Sequence, residues 1–75
     1  MGDLISRLYD EKKTLFDKTK RLEAFLFTNE FMQLDDIQQG LLQIQHSAMM
    51  TYLKCLNERI VRLEPKSNVD GIENN

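Results

Sequence analysis

Between Leu4 and Leu26 the chain carries neither glycine nor proline, and Leu4, Leu8, Leu15, Leu22 and Phe25 recur there at steps of three, four or seven residues. Apolar side chains at that period fall on one side of an α-helix, so the first third of the sequence predicts a single long helix. The same seven-residue frame puts Glu11 and Lys18 at positions along the apolar seam, while Ile5, Tyr9, Phe16 and Leu26 form a second, flanking stripe. Asp3 is the expected N-cap. Asp10–Lys13, Asp17–Lys20 and Asp17–Arg21 can pair across one turn, each contributing a few tenths of a kcal/mol.

Thr28-Asn29 interrupts the pattern and supplies cap chemistry for a short helical turn carrying Phe31, Met32 and Leu34. Asp35 with Gln38 has the spacing of a capping box, and a second long helix is expected from Asp36 to about Leu63. Leu42, Met49, Leu53, Leu56, Ile60 and Leu63 mark one stripe on it, and Leu41, Ile44, Ala48, Tyr52 and Cys55 mark its neighbour. Gly40 costs about 1 kcal/mol relative to alanine inside a helix, so its presence points to close packing or to a frayed first turn. Pro65 stops the helix, and 65–75, rich in Asn, Asp, Ser and Glu, reads as a flexible polar tail. The expected fold class is therefore all-α, with 1–64 forming an antiparallel helical hairpin closed by a short elbow helix.

Two helices share one mutual face, yet each carries a second apolar stripe that nothing else in the sequence can cover. A chain of 75 residues also buries little apolar surface of its own and needs a disulfide, a metal or a partner subunit to be stable. Cys55 is the lone cysteine and His46 the lone histidine, so an internal disulfide and a zinc site are both excluded. Self-association is the remaining staple, and a homo-oligomer is expected.

Ten Lys and Arg against 12 Asp and Glu leave a net charge of −2, which argues against a DNA or RNA binder relying on a basic surface but leaves room for a small anionic ligand. No apolar run approaches the roughly 20 residues that span a bilayer, and no signal peptide pattern opens the sequence, so a soluble intracellular protein without a membrane partner is expected. Met1 to Ser6 fits the loose myristoylation pattern, which is short enough to arise by chance. Catalysis finds little support. His46 falls away from the Leu42–Met49–Leu53 stripe, and the nine residues separating it from Cys55 place the two on different helix faces. Cys55 reads as a buried structural thiol, His46 as a partly exposed helix residue and Asp35-Asp36 as cap chemistry. No glycine-rich phosphate loop is present, so neither enzymatic activity nor a cofactor is expected.

What remains is basic: Lys12, Lys13, Lys18, Lys20 and Arg21 on the first helix, and Lys54, Arg59 and Arg62 on the second. Most such residues are solvated. Lys18 is the exception, because an ammonium between Leu15 and Leu22 in a seam needs a carboxylate or a phosphate, and Glu11 two turns away is the plain structural partner. Arg59, next to Ile60, stands at the edge of a buried surface and offers a planar fork for phosphate or a base edge. Tyr9 offers a stacking face.

The joint order Arg7-Leu8, Glu11, Leu15, Lys18, Arg21-Leu22, Phe25, Thr28, Phe31, Leu34, then Gln39, Leu41-Leu42, Gln45, Met49, Tyr52, Leu56 and Arg59-Ile60 resembles the small phage anti-CBASS cyclic-oligonucleotide sponges, over about positions 4 to 63. The resemblance implies a helical homohexamer in the cytoplasm of an infected bacterium. It would sequester cyclic di- and trinucleotides made by an immune cyclase without cleaving them. Carried over by position, it implies Lys18 for phosphate, Thr28 as a hydroxyl at the elbow and Arg59 for base or phosphate. Members often place an aromatic directly after the first-helix glutamate, where this chain has Lys12, and a polar residue where it has Phe27. Either Tyr9 takes over the ring contact or Lys12 converts it to a charge contact. Two further readings stand beside the sponge. One is a structural or adaptor coiled-coil protein docking a partner helix through its second stripe. The other is an inhibitor of a nucleic-acid-binding protein, its acidic tail imitating a phosphate chain.

Overall fold

The computed structural model describes residues 2–64, and the polar tail expected at 65–75 lies outside them. Three helices follow one another: α1 (Gly2–Phe25), α2 (Asn29–Met32) and α3 (Asp36–Leu63). Helix α1 packs along α3. Tyr9, early on α1, donates to Glu64 just past the end of α3, whereas Glu11 and Lys12, later on α1, bond Tyr52 and Asn57, which lie earlier on α3. That order defines an antiparallel hairpin, and the fold is all-α as expected.

The boundaries are set by the chemistry expected of them. Thr28 caps α2 by accepting from the Phe31 amide at 3.2 Å while donating to the Phe25 carbonyl at 2.7 Å, so one hydroxyl closes α1 and opens α2. Asp35 accepts from the Gln38 amide at 2.7 Å and opens α3. Glu64 leaves the helix with φ −75° and ψ 155°, the extended conformation that a following proline imposes. Phe25 meets Phe31 edge to face at 6.1 Å, and Gln39 donates to the Met32 and Leu34 carbonyls, so the elbow is fixed by rings and by backbone bonds. Asp3 is not a cap. It lies inside the first turn of α1 and pairs with Arg7 at 3.8 Å.

The seam departs from the expected one at both of its polar positions, each shifted by one residue, and Leu4 at the head of the expected stripe is exposed. Leu8 and Leu15 are buried as read, with Leu56 and Ile60 opposite them and Met49, Leu53 and Leu63 packed around. Each fully buried Leu or Ile contributes about 1.5–3 kcal/mol. The position between Leu15 and Leu22, however, belongs to Thr19, 1% exposed, and not to Lys18, which is exposed. Likewise Lys12 is half-buried while Glu11 is exposed. The Thr19 hydroxyl donates to the Leu15 carbonyl at 2.7 Å, which hides its polarity inside its own helix and leaves the methyl for the interface.

Other expectations are corrected in the same way. Lys13 pairs with Asp17 at 3.3 Å and Lys20 with Glu23 at 3.1 Å, replacing the predicted Asp10–Lys13, Asp17–Lys20 and Asp17–Arg21 pairs. His46 is partly exposed as expected, but it stands beside the Leu42–Met49–Leu53 stripe rather than away from it, with its Nε2 buried and unbonded, because the 42–46–49–53 steps of four, three and four turn that residue toward α1. Cys55 is exposed rather than buried, since it lies on the outer stripe of α3. A side chain added at Gly40 would meet nothing within 4 Å, so close packing inside the hairpin does not explain that glycine.

Candidate functional site

The second stripe on α3 is open. Ile37 is 74% exposed and Ile44 66%, with Leu41 and Tyr52 also exposed and Ala48 and Cys55 continuing the row. The spacing of these residues, in steps of three and four, keeps them on one flank of the helix. At the Tyr52 end this flank meets Glu11, Thr14 and Lys18 of α1. Between the helices there a groove of about 410 Å³ is lined by Asp10, Glu11, Thr14, Leu15, Lys18 and Tyr52. Seven residues, two helical turns, separate Glu11 from Lys18 and Tyr52 from Arg59, so each pair shares a face.

The groove combines an apolar floor from Leu15, an aromatic ring, one cation and two carboxylates. The Tyr52 hydroxyl donates to Glu11 Oε2, which fixes the ring across the seam. That hydrogen bond is the main cause raising the Tyr52 pKa, followed by desolvation and by repulsion from the Glu11 charge, while nearby Arg59 opposes the rise. Arg59 lines a second groove of about 420 Å³ with Leu4, Glu58, Arg62 and Leu63 at the open end of the hairpin. Arg62 is engaged there by Glu58 at 3.7 Å.

The five residues singled out from the sequence do not converge within one chain. Lys18 and Arg59 face the same flank, in neighbouring grooves. Tyr9 and Lys12 point to the opposite flank: Tyr9 donates to Glu64, Lys12 donates to Asn57 Oδ1 at 2.8 Å, and the Lys12 ammonium stands 6.0 Å from the Tyr9 ring centroid. The bond to Glu64, then desolvation and the Glu64 charge, raise the Tyr9 pKa. Thr28 is at the elbow, and its proton is already donated to Phe25. A ligand reaching this hydroxyl could use it only as an acceptor, so it suits a ligand N–H or O–H better than a bare phosphate oxygen. Tyr52 was not assigned a role from the sequence. Its spacing of seven from Arg59 is the signal that could have placed both on one face.

A family model described as Sequestin matches residues 2–62. The chain belongs to the Sequestin family. The matched span takes in α1, the elbow and nearly all of α3, so the open stripe and every groove residue named above except Leu63 lie within the Sequestin region. The family's name is that of a sequestering protein, and it agrees with a chain read from its sequence as a binder. No curated protein and no solved structure gives a significant match. Among the described residues no helix is long and apolar enough to cross a membrane.

Proposed function

We propose that this Sequestin family member binds cyclic di- and trinucleotide second messengers and holds them without hydrolysis, as a phage protein acting in the cytoplasm of an infected bacterium so that an immune effector stays unliganded. The observation that carries the reading is the groove in which Lys18 and the Tyr52 ring stand over an apolar floor, beside a stripe of exposed apolar residues. A cyclic oligonucleotide is small, flat-faced and anionic. Lys18 supplies charge for a phosphate, Tyr52 a face for a base and Arg59 a planar fork at the next opening. The groove is open, and closure comes from a second copy of the chain, whose own open stripe needs the same cover. Closed point-group assembly satisfies both needs, and the resemblance in the sequence implies a hexamer. Tyr9 and Lys12, on the opposite flank, then reach a ligand only from a neighbouring protomer.

Sequestration requires tight stoichiometric binding and no chemistry, which matches the family's name. The test is native mass spectrometry of the full chain, alone and with a panel of cyclic di- and trinucleotides. A closed oligomer retaining whole numbers of unaltered nucleotide is expected. An oligomer that retains none would overturn the reading in favour of a coiled-coil adaptor docking a partner helix on the Ile37–Leu41–Ile44 stripe.

A further inference from the structure

Resting on that reading, we infer that Glu11 selects for guanine among the bases that the groove admits. The groove holds one ammonium, Lys18, against two carboxylates, Asp10 and Glu11, so its charge is net negative and a phosphate contact alone gains little there. A ligand that settles in it must offer hydrogen-bond donors to the acidic wall. Glu11 is the acid placed to receive them, because the bond from the Tyr52 hydroxyl anchors its Oε2 at the phenolic end of the ring. A base laid on that ring turns one edge toward Glu11, whose Oε1 and remaining lone pairs accept and cannot donate.

That acceptor-only wall discriminates among edges. Guanine presents two adjacent donors, N1–H and the N2 amino group. Adenine presents one donor beside an unprotonated ring nitrogen, cytosine does the same, and uracil sets a single N–H between two carbonyls. Only guanine gives both carboxylate oxygens a proton, whereas the other three point at least one lone pair at a negative charge. Lys18, two turns along the same face of α1, lies about 10 Å farther along the helix axis. It is separated from Glu11 as a phosphate is separated from its base edge by the sugar.

Isothermal titration of the full chain with cyclic di-GMP and cyclic di-AMP, for the unmodified protein and for Glu11→Gln, tests this. The unmodified protein is expected to favour cyclic di-GMP by about tenfold or more, the discrimination typical of a bidentate base contact. Glu11→Gln keeps an acceptor for the Tyr52 hydroxyl and adds an amide donor that complements adenine, so the preference should reverse. Far-UV circular dichroism of the variant checks that the hairpin is formed. Equal affinity of the unmodified protein for both nucleotides overturns the inference, as does a variant that weakens both by one factor, which is what a merely structural Glu11–Tyr52 tie would give. Binding of neither nucleotide, with another cyclic di- or trinucleotide still retained, also overturns the inference, whereas retention of none of that panel overturns the proposed function itself.

Discussion

Thr19 and Lys18 are adjacent in sequence and opposite in environment, and exchanging the character of the two sites tests the packing directly. Thr19 is 1% exposed between the helices, with its hydroxyl committed to Leu15. Thr19→Lys drives a larger side chain and an ammonium into that space, where removing the charge from water costs several kcal/mol even after relaxation. A folded chain of this size is worth about 3–10 kcal/mol in all, so the single-chain hairpin should lose most or all of its stability. Lys18→Ala removes an exposed side chain and should stay within about 0.5 kcal/mol. Urea denaturation followed at 222 nm would separate the two. A stable Thr19→Lys protein, or a Lys18→Ala protein that unfolds, would falsify the assigned seam and restore Lys18 to the buried position its heptad spacing suggests. Under the proposed function, Lys18→Ala should also lose nucleotide affinity while remaining helical, a dissociation that Thr19→Lys cannot show.

Gly40→Ala should raise stability by about 1 kcal/mol, because alanine favours the helix and its methyl group meets open space, and a thermal melt measures it. No gain would mean that a neighbouring chain approaches the helix at that point. Tyr9 and Tyr52 both hold their protons above the ordinary value of 10.0 in the folded chain, so the unfolded chain loses them first on the way to alkaline pH. Their contribution is therefore fully present below pH 10 and is lost as pH rises through the folded values. Urea midpoints should fall between pH 9 and pH 11, and the fall should be smaller in a Tyr9→Phe, Tyr52→Phe protein; equal slopes in the two proteins would remove the tyrosines from the account.

The elements were legible because their punctuation is local. Thr28 and Asp35 reach amides three residues away, and Pro65 imposes its conformation on the residue before it, so sequence spacing alone locates the elbow and both ends of α3. The seam was less legible because Leu8, Leu15 and Leu22 are shared by two frames, one adding Glu11 and Lys18 and the other Lys12 and Thr19. Counting apolar residues cannot choose between them, since neither pair is apolar. The choice falls to Thr19 because a threonine can satisfy its hydroxyl on its own helix and a lysine cannot. His46 was misplaced for a related reason: a polar residue in an apolar frame reads as an outsider until the partner helix is present. The groove depended on pairings 41 residues apart, such as Tyr52 with Glu11, and no local pattern carries them.

Leu8, Leu15, Leu56 and Ile60 pack together between α1 and α3, apart from Phe31, which is buried separately at the elbow that joins the helices. Bringing Leu8 to Ile60 closes a loop about four times longer than the one between Leu26 and Gln39, which for a flexible chain adds about 1.2 kcal/mol of ordering entropy. Apart from the Phe25–Phe31 contact at the elbow, the apolar gain therefore arrives only after distant parts of the chain have met. Such a hairpin has little reason to zip gradually from its turn and should form in one late, cooperative step. Its first collapsed states would display the bare Ile37–Leu41–Ile44 row, so encounters between chains during synthesis could compete with folding.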